Sequence, residues 1–401
     1  VISLANVAVA DAETTRLLLT SFAVFAAAKL MAELFEWLHQ PGVVGEIVAG
    51  VVIGPSVLGW VNPDQFLSAL AELGVIFLLF TVGLEIKPAQ IFRVGGAALL
   101  VAAGGVAAPF IAGWAIMLWW NHSSVEAIFV GASMVATSVG ITARVLASLG
   151  LMNERASQII LAAAVIDDIL GLLVLAAVSG VAKGGVHYAE LAGTAALAFG
   201  FTIFVAVVGT RAMRRVGPRL AHLRQIRGEF AFALILVFGL SLLATWAGVA
   251  AIVGAFLAGM VLAEHFEGSD VHQLAQGVTE LVVPFFLVQI GLYLDIRVFQ
   301  SLRTFGLALL ITAAAILTKL AGCGLGAWSL GFRDALRVGM GMAPRGEVGM
   351  VVAQIGLTMG VIPSDAYAVV VFMAIATTLV APPLLRLLFP GARPAETGAS
   401  M

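Results

Sequence analysis

Charge is what this sequence has least of. Asp, Glu, Lys and Arg make up 11% of its 401 residues, against roughly 25% in ordinary globular proteins. That is too little to wet the surface of a soluble chain this long, and an apolar share of 61% points to lipid as the solvent. At about 20 residues per crossing, the chain has room for about a dozen transmembrane helices and no large soluble domain. Cysteine is nearly absent. Cys323 stands alone in an apolar stretch, which excludes a disulfide framework and a thiolate metal cluster. A net charge of −2 leaves no basic face for nucleic acid. The six histidines show no metal-ligand spacing, and no phosphate loop, dinucleotide fingerprint or HExxH motif occurs. No nucleophile–base set appears either, so an enzyme is the least expected reading and no cofactor is called for. The first residues lack both the basic region of a signal peptide and an initiator methionine, as in a trimmed or processed chain.

What is there is a series of apolar runs punctuated by Gly, Pro and polar clusters. They predict thirteen spans near 15–38, 41–60, 66–86, 94–120, 125–149, 155–180, 188–213, 228–247, 249–266, 274–294, 303–329, 334–359 and 364–389, with 390–401 a disordered tail. Arg144, Arg155, Arg333, Arg337, Arg386 and the basic run at 211–227 fall on one side of this arrangement; the other keeps Arg16, Lys183, Arg297 and Arg303. Lys and Arg accumulate on the cytoplasmic side, so the N-terminus is expected outside and the C-terminus inside. The run at 211–227 then reads as an inner-leaflet anchor.

The two halves resemble each other. ELGVIFLLFTVGLEI (72–86) matches ELVVPFFLVQIGLYL (280–294) at seven of fifteen positions with an offset of 208, and IVAGVVIGP (47–55) echoes IVGAFLAGM (252–260). The matched spans are third with tenth and second with ninth. An odd number of crossings separates them, so the repeats are expected upside down relative to each other. Inverted repeats offer two equivalent packings of one bundle, the usual basis of alternating access in secondary transporters.

A few charges fall at mid-membrane, where each costs at least a few kcal/mol. Asp167 and Asp168 lie twelve and thirteen residues past Arg155, roughly 18–20 Å along a helix. Adjacent positions on a helix diverge by about 100°, so one carboxylate can face a cavity while the other faces a neighbouring helix. Lys319, in AAAILTKLAGCG, is equally deep and calls for an acid from another helix, with one of the two aspartates the natural candidate. In GASMVATSVGITARVL, Thr137 and Ser138 sit among glycines at mid-span; in GMGMAPRGEVGMVV, Pro344, Arg345, Gly346 and Glu347 sit at the matching depth. Such interruptions at corresponding places in two halves point to crossed, unwound helices at a transport site. Carbonyls and hydroxyls freed there suit a small hard cation. Arg345 and Glu347 do not face each other on an intact helix, so their pairing would require the break. Glu46, Glu72, Glu280 and Gln289 read as packing or interfacial residues.

Together VIDDILG, ATSVGITARVL, GVVGEIVAGVVIGPSVLG, LAELGVIFLLFTVGLEI and GMAPRGEVGMVVAQIGL resemble bacterial antiporters of the second monovalent cation:proton antiporter family. The closest likeness is to NapA-type sodium/proton antiporters, over roughly residues 15–390. The resemblance implies an all-α NhaA-like fold of thirteen helices, with inverted repeats and crossed discontinuous helices, in a bacterial inner membrane. It implies a homodimer whose dimerisation scaffold is 1–86 and 228–294, whose ion-translocating core is 94–180 and 303–389, and whose linking helix and basic inner loop are 188–227. Asp168 then corresponds to the carboxylate that binds cation and proton, and Asp167 to the acid that pairs with Lys319. Thr137 and Ser138 match the unwound peptide of the fifth span; Arg345 and Glu347 match the charged break of the twelfth.

The expected activity is exchange of Na⁺, and of Li⁺ with it, for H⁺ by elevator-type alternating access, electrogenic and serving pH homeostasis. K⁺/H⁺ exchange at the same site is the alternative. Asp167 stands where potassium-efflux relatives usually carry Gln, which favours sodium. A channel or receptor on the same fold is less expected, because the mid-span charges are few and local rather than a continuous polar path.

Overall fold

A computed structural model of the protein describes residues 4–38, 40–85, 88–182, 188–220, 228–263, 270–293 and 301–389. The expected tail at 390–401, Lys183 and Arg297, and the far end of the basic run at 221–227 lie outside the described residues.

The chain begins with α1 (Leu4–Trp37), α2 (Gly42–Ile53) and α3 (Gln65–Leu84). Next come α4 (Pro88–Trp119), the short helices α5 (Ser124–Ser133) and α6 (Val139–Ser148), and α7 (Arg155–Ala182). α8 (Tyr188–Phe204) runs through a π-helical turn, Val205–Gly209, into α9 (Thr210–Leu220). The second half repeats the order with α10 (Gly228–Trp246), α11 (Ala251–Leu262), α12 (Asp270–Leu292) and α13 (Leu302–Gly326). The short helices α14 (Phe332–Gly341) and α15 (Glu347–Thr358) and the long α16 (Ser364–Leu388) complete it. Among the described residues there is no strand, and nine helices are long and apolar enough to cross a membrane.

Three segments depart from the spans read in the sequence. The run at 41–60 is helical only to Ile53; Gly54 and Pro55 end it, and Gly59 turns the chain at φ +65°, a conformation that suits glycine. The chain re-enters at α3, where Asp64 Oδ1 accepts from Leu67 N at 2.9 Å. The partner run at 249–266 is likewise helical only from Ala251 to Leu262. Arg211, Arg214 and Arg215, expected in an inner loop, instead extend a helix as far as Leu220, and the π-helical turn ahead of them takes up one extra residue per turn.

The helices fall into two packing groups. α1, α2, α3, α10, α11 and α12 pack on one another, as do α4, α5, α7, α13, α14, α15 and α16. The groups meet along a seam where α6 and α16 touch α2, and α6 touches α3. Both groups depend on glycine where backbones touch. A Cβ on Gly50 would collide with Val288 O, and one on Gly291 with Ile47 O. Gly83 meets Phe256 O while Gly259 meets Phe80 O, and Gly104 and Gly322 each meet the other's carbonyl. Small residues of this kind let membrane helices approach to backbone contact.

The offset of 208 recurs in the element bounds. α5 spans Ser124–Ser133 and α14 Phe332–Gly341; α6 begins at Val139 and α15 at Glu347. α3 ends at Leu84 and α12 at Leu292. The two interrupted helices therefore break at the same register.

Backbone contact at glycine makes a test. Gly259→Ala drives a methyl into the Phe80 carbonyl and the Leu84 amide and is expected to cost about 1–3 kcal/mol. Gly277→Ala, in α12 with nothing within 4 Å of the new methyl, is expected to be neutral or to gain up to about 1 kcal/mol. Thermal unfolding of both variants in detergent checks the difference; equal melting temperatures would contradict the packing described.

Candidate functional site

The site is built where the two interrupted helices cross. α5 stops at Ser133 and α14 at Gly341, each followed by five residues outside any helix, 134–138 and 342–346. Pro344 has no amide to donate, and Gly346 lies against Ser138 so closely that a Cβ would strike that side chain. The two peptides bond to each other instead of to their own helices. Ser138 N donates to Pro344 O at 2.9 Å. Thr142 Oγ1 donates to Gly341 O at 2.6 Å, and Thr137 Oγ1 to Met342 O at 3.4 Å. Each break exposes a helix C-terminus, whose free carbonyls carry partial negative charge.

Arg345 answers that charge. It is wholly buried. Its Nη1 donates to Val135 O at 3.4 Å and Ala136 O at 3.3 Å, and its Nη2 to Ala315 O on α13 at 3.4 Å. Two threonines of α16 hold its backbone: Arg345 N donates to Thr377 Oγ1 at 3.1 Å, and Thr378 Oγ1 donates to Arg345 O at 2.7 Å. The guanidinium thus reaches the carbonyls of the fifth-span break. The side chain of Glu347 lies outside the described residues. The Val135 and Ala136 carbonyls each accept one contact from Arg345.

Beside the crossing lies a buried ion pair. Lys319 Nζ, on α13, stands 3.2 Å from Asp167 Oδ1 and 3.4 Å from Oδ2, with both side chains fully buried. The Asp167 carboxylate also attracts Arg345, which in turn repels Lys319. Gly105 of α4 makes room for this pair, since a Cβ there would press on Lys319 Nζ and Cys323 Sγ.

Asp168 points elsewhere. It is 8% exposed and lines a cavity of about 10 Å³ with Val139 of α6, Leu161 and Val165 of α7, Leu79 of α3, and Ile252, Val253 and Phe256 of α11. That is the room of about one water, and Asp168 is the one ionisable group in its lining among the described residues. The adjacent aspartates thus diverge as helical geometry demands, Asp167 into one packing group and Asp168 onto the seam.

Of the residues singled out in the sequence, Thr137, Ser138 and Arg345 meet at the crossing and Asp167 with Lys319 beside it; Asp168 faces the seam. Ser138 Oγ is buried with no hydrogen-bond partner among the described residues. Thr142, Thr377, Thr378 and Gly105 were not singled out. Their only signal was the rarity of hydroxyls and the excess of glycine inside apolar runs.

Comparison with known proteins bears on the family and the fold. Residues 21–390 match the model of the transmembrane sodium/hydrogen exchanger family. The chain is 34% identical over 370 residues to the Na⁺/H⁺-K⁺ antiporter GerN of Bacillus cereus, covering 91% of this chain and 94% of that one. It is 34% identical over 420 residues to the high-affinity Na⁺/H⁺ antiporter NhaS3 of Synechocystis, covering 94% and 91%. Its fold resembles the sodium/proton antiporter MjNhaP1 of Methanocaldococcus jannaschii with a TM-score of 0.66 at 16% identity, covering 90% of this chain and 94% of that one. The all-helical bundle with its interrupted pair and the match along most of its length lead to one assignment: this multi-pass membrane protein belongs to the transmembrane sodium/hydrogen exchanger family.

Proposed function

We propose that this chain exchanges Na⁺ for H⁺ across the membrane, with Asp168 as the carboxylate that holds one or the other. The observation that carries the reading is the placement of Asp168 on the seam between the two helix groups, one residue from the buried Asp167–Lys319 pair. Relatives named as Na⁺/H⁺ antiporters support it. In this scheme residues 94–180 and 303–389 form a core that slides against a scaffold of 1–86 and 228–294. α1 exposes Leu18, Leu19 and Phe22, an apolar face suited to lipid or to a second copy in a homodimer. Thirteen crossings in two inverted repeats put the N-terminus outside and Arg144, Arg155 and Arg386 at the cytoplasmic face of an inner membrane.

Competition at one carboxylate gives coupling. Proton or cation on Asp168 neutralises it, and a bare carboxylate is too costly to carry through lipid, so the empty site does not cross. Ser138 Oγ and Thr137 Oγ1 are the candidate neutral ligands for the cation beside it. Lys319 supplies a second proton when sodium enters, making the cycle two protons per Na⁺; the net charge moved is worth about 2.3 kcal/mol per 100 mV. The name of GerN includes K⁺, which keeps K⁺ exchange at the same site as a second reading. Proton flux in proteoliposomes driven in turn by Na⁺, Li⁺ and K⁺ decides between them, and flux with none of the three would overturn both.

Asp168→Asn is expected to abolish cation-driven proton flux while the protein stays monodisperse with an unchanged melting temperature. Exchange like that of the unmodified protein would remove Asp168 from the site.

Ser138→Ala is expected to raise the half-maximal Na⁺ concentration by about threefold to tenfold with the maximal rate within about twofold, because a supporting ligand contributes to binding rather than to the shared carboxylate chemistry. Thr137→Ala is expected to act in the same direction. Unchanged Na⁺ dependence in both would leave the break as a structural kink.

Lys319→Gln is expected to keep Na⁺/H⁺ exchange but make it electroneutral, and to lower the melting temperature, since Asp167 loses its buried partner. Sodium-driven pH change under an imposed membrane potential reads the first effect. Exchange as voltage-dependent as before would show that Lys319 carries no transported charge.

A further inference from the structure

A second polar cavity opens on the same seam, away from Asp168. It is about 490 Å³ in volume and charged on all sides: Lys29, Glu33 and Glu36 from α1, Glu46 from α2, Arg144 from α6 and Arg386 from α16. Glu46 is the unusual member. It sits in the apolar run GVVGEIVAGVVI, is only 3% exposed, and receives one contact of 3.4 Å, from Lys29 Nζ to its Oε1. Lys29 itself is 41% exposed at the side chain. The other oxygen, Glu46 Oε2, is buried with no hydrogen-bond partner among the described residues. A buried carboxylate with half its acceptors idle is costly, and the close approach of α2 to α1 is made by glycine, Gly45 lying on the Met31 and Ala32 backbone.

Arg144 lines the same cavity without bonding to Glu46 Oε2. Its charge attracts the Glu46 carboxylate ahead of that of Lys29, while Glu36 repels it. Arg144 belongs to α6, the half-helix that begins beside Ser138, so Glu46 and Arg144 lie on opposite sides of the seam. If α6 shifts along the seam by a few ångströms, the distance between the two charges changes more than any contact inside either group. We propose that Glu46 and Arg144 are a positioning pair across the seam, closing at one end of the core's movement and thereby setting which side of the membrane the transport site faces. The inference rests on the sliding core proposed above. Neither residue touches the transported ion; they act through the balance between two access states, and a bias in that balance scales apparent affinity on one side of the membrane against the other.

The test is a double-mutant cycle in oriented proteoliposomes, using Glu46→Gln, Arg144→Gln, the double variant and the exchange Glu46→Arg with Arg144→Glu. Two quantities are read: the ratio of half-maximal Na⁺ concentrations from the two sides, and the labelling rate of a cysteine introduced at Ser148, on the cavity wall. The native Cys323 is fully buried and is replaced by alanine as a precaution. Each single variant is expected to shift both quantities in the same direction by about threefold to tenfold. The double variant should shift them no further than either single one, and the charge exchange should bring them back. Arg144 is partly exposed, so Arg144→Gln keeps the test open even if Glu46→Gln does not fold. Additive shifts, or Lys29→Gln reproducing Glu46→Gln while Arg144→Gln does nothing, would overturn the pair and return Glu46 to a local role between α1 and α2. The labelling cycle needs no transport, so loss of Na⁺-driven flux in the unmodified protein would count against the exchange reading alone.

Discussion

A helix that stops inside a bilayer leaves carbonyls and amides that no water will satisfy. Everything at the centre of this protein depends on how that debt is met twice, at 134–138 and at 342–346. One guanidinium, Arg345, reaches the carbonyls of the opposite break and of α13. Threonine hydroxyls close much of the remainder, Thr142 on Gly341 O and Thr378 on Arg345 O. Once Arg345 is committed there, its positive charge must be balanced at the same depth, and the acid that feels it is Asp167. Asp167 in turn carries Lys319. The carboxylate proposed for transport, Asp168, is the neighbouring residue, on another face of α7. The order of dependence runs from backbone satisfaction to charge balance.

That order also explains the small size of the Asp168 cavity. Room for about one water between Leu79, Val139 and Phe256 keeps the carboxylate on a nearly dry seam. On the proposed reading, apolar side chains as much as Asp168 itself would keep proton and sodium from occupying the site together.

Much of the architecture was legible in the sequence because bilayer solvation is a strict filter. Apolar runs gave the order of helices, and GASMVATSVG and GMAPRGE marked the two interruptions, because glycine, proline and hydroxyls cluster there against an apolar background. Asp167, Asp168 and Lys319 stood out for the same reason. What did not show was partnership. Arg345 is two residues from Glu347 in sequence, yet its side chain is spent on Val135 O, Ala136 O and Ala315 O, all of them backbone atoms with no residue-type signature. Gly105 reads as one glycine among 44, though a side chain there would press on the Lys319 ammonium. Nothing in GVVGEIVAG tells that Arg144, nearly a hundred residues on, lines the same cavity as Glu46. The helix at Thr210–Leu220 was missed for a simpler reason: its arginines resemble a loop by composition, and helical continuation is set by the segment before it.

The glycine pairs at Gly50–Gly291, Gly83–Gly259 and Gly104–Gly322 join the first half of the chain to the second. At each, the space a side chain would need is already filled by the other half's backbone. Sequence drift is therefore not independent in the two halves. A methyl gained at position 104 has to be answered by a shift of α13, and no residue smaller than the glycine already at position 322 exists to provide it. These positions are closed to compensation. The halves are free to diverge in the charges they carry, as Asp168 against Ala376 shows at the shared offset, but not in how closely they approach.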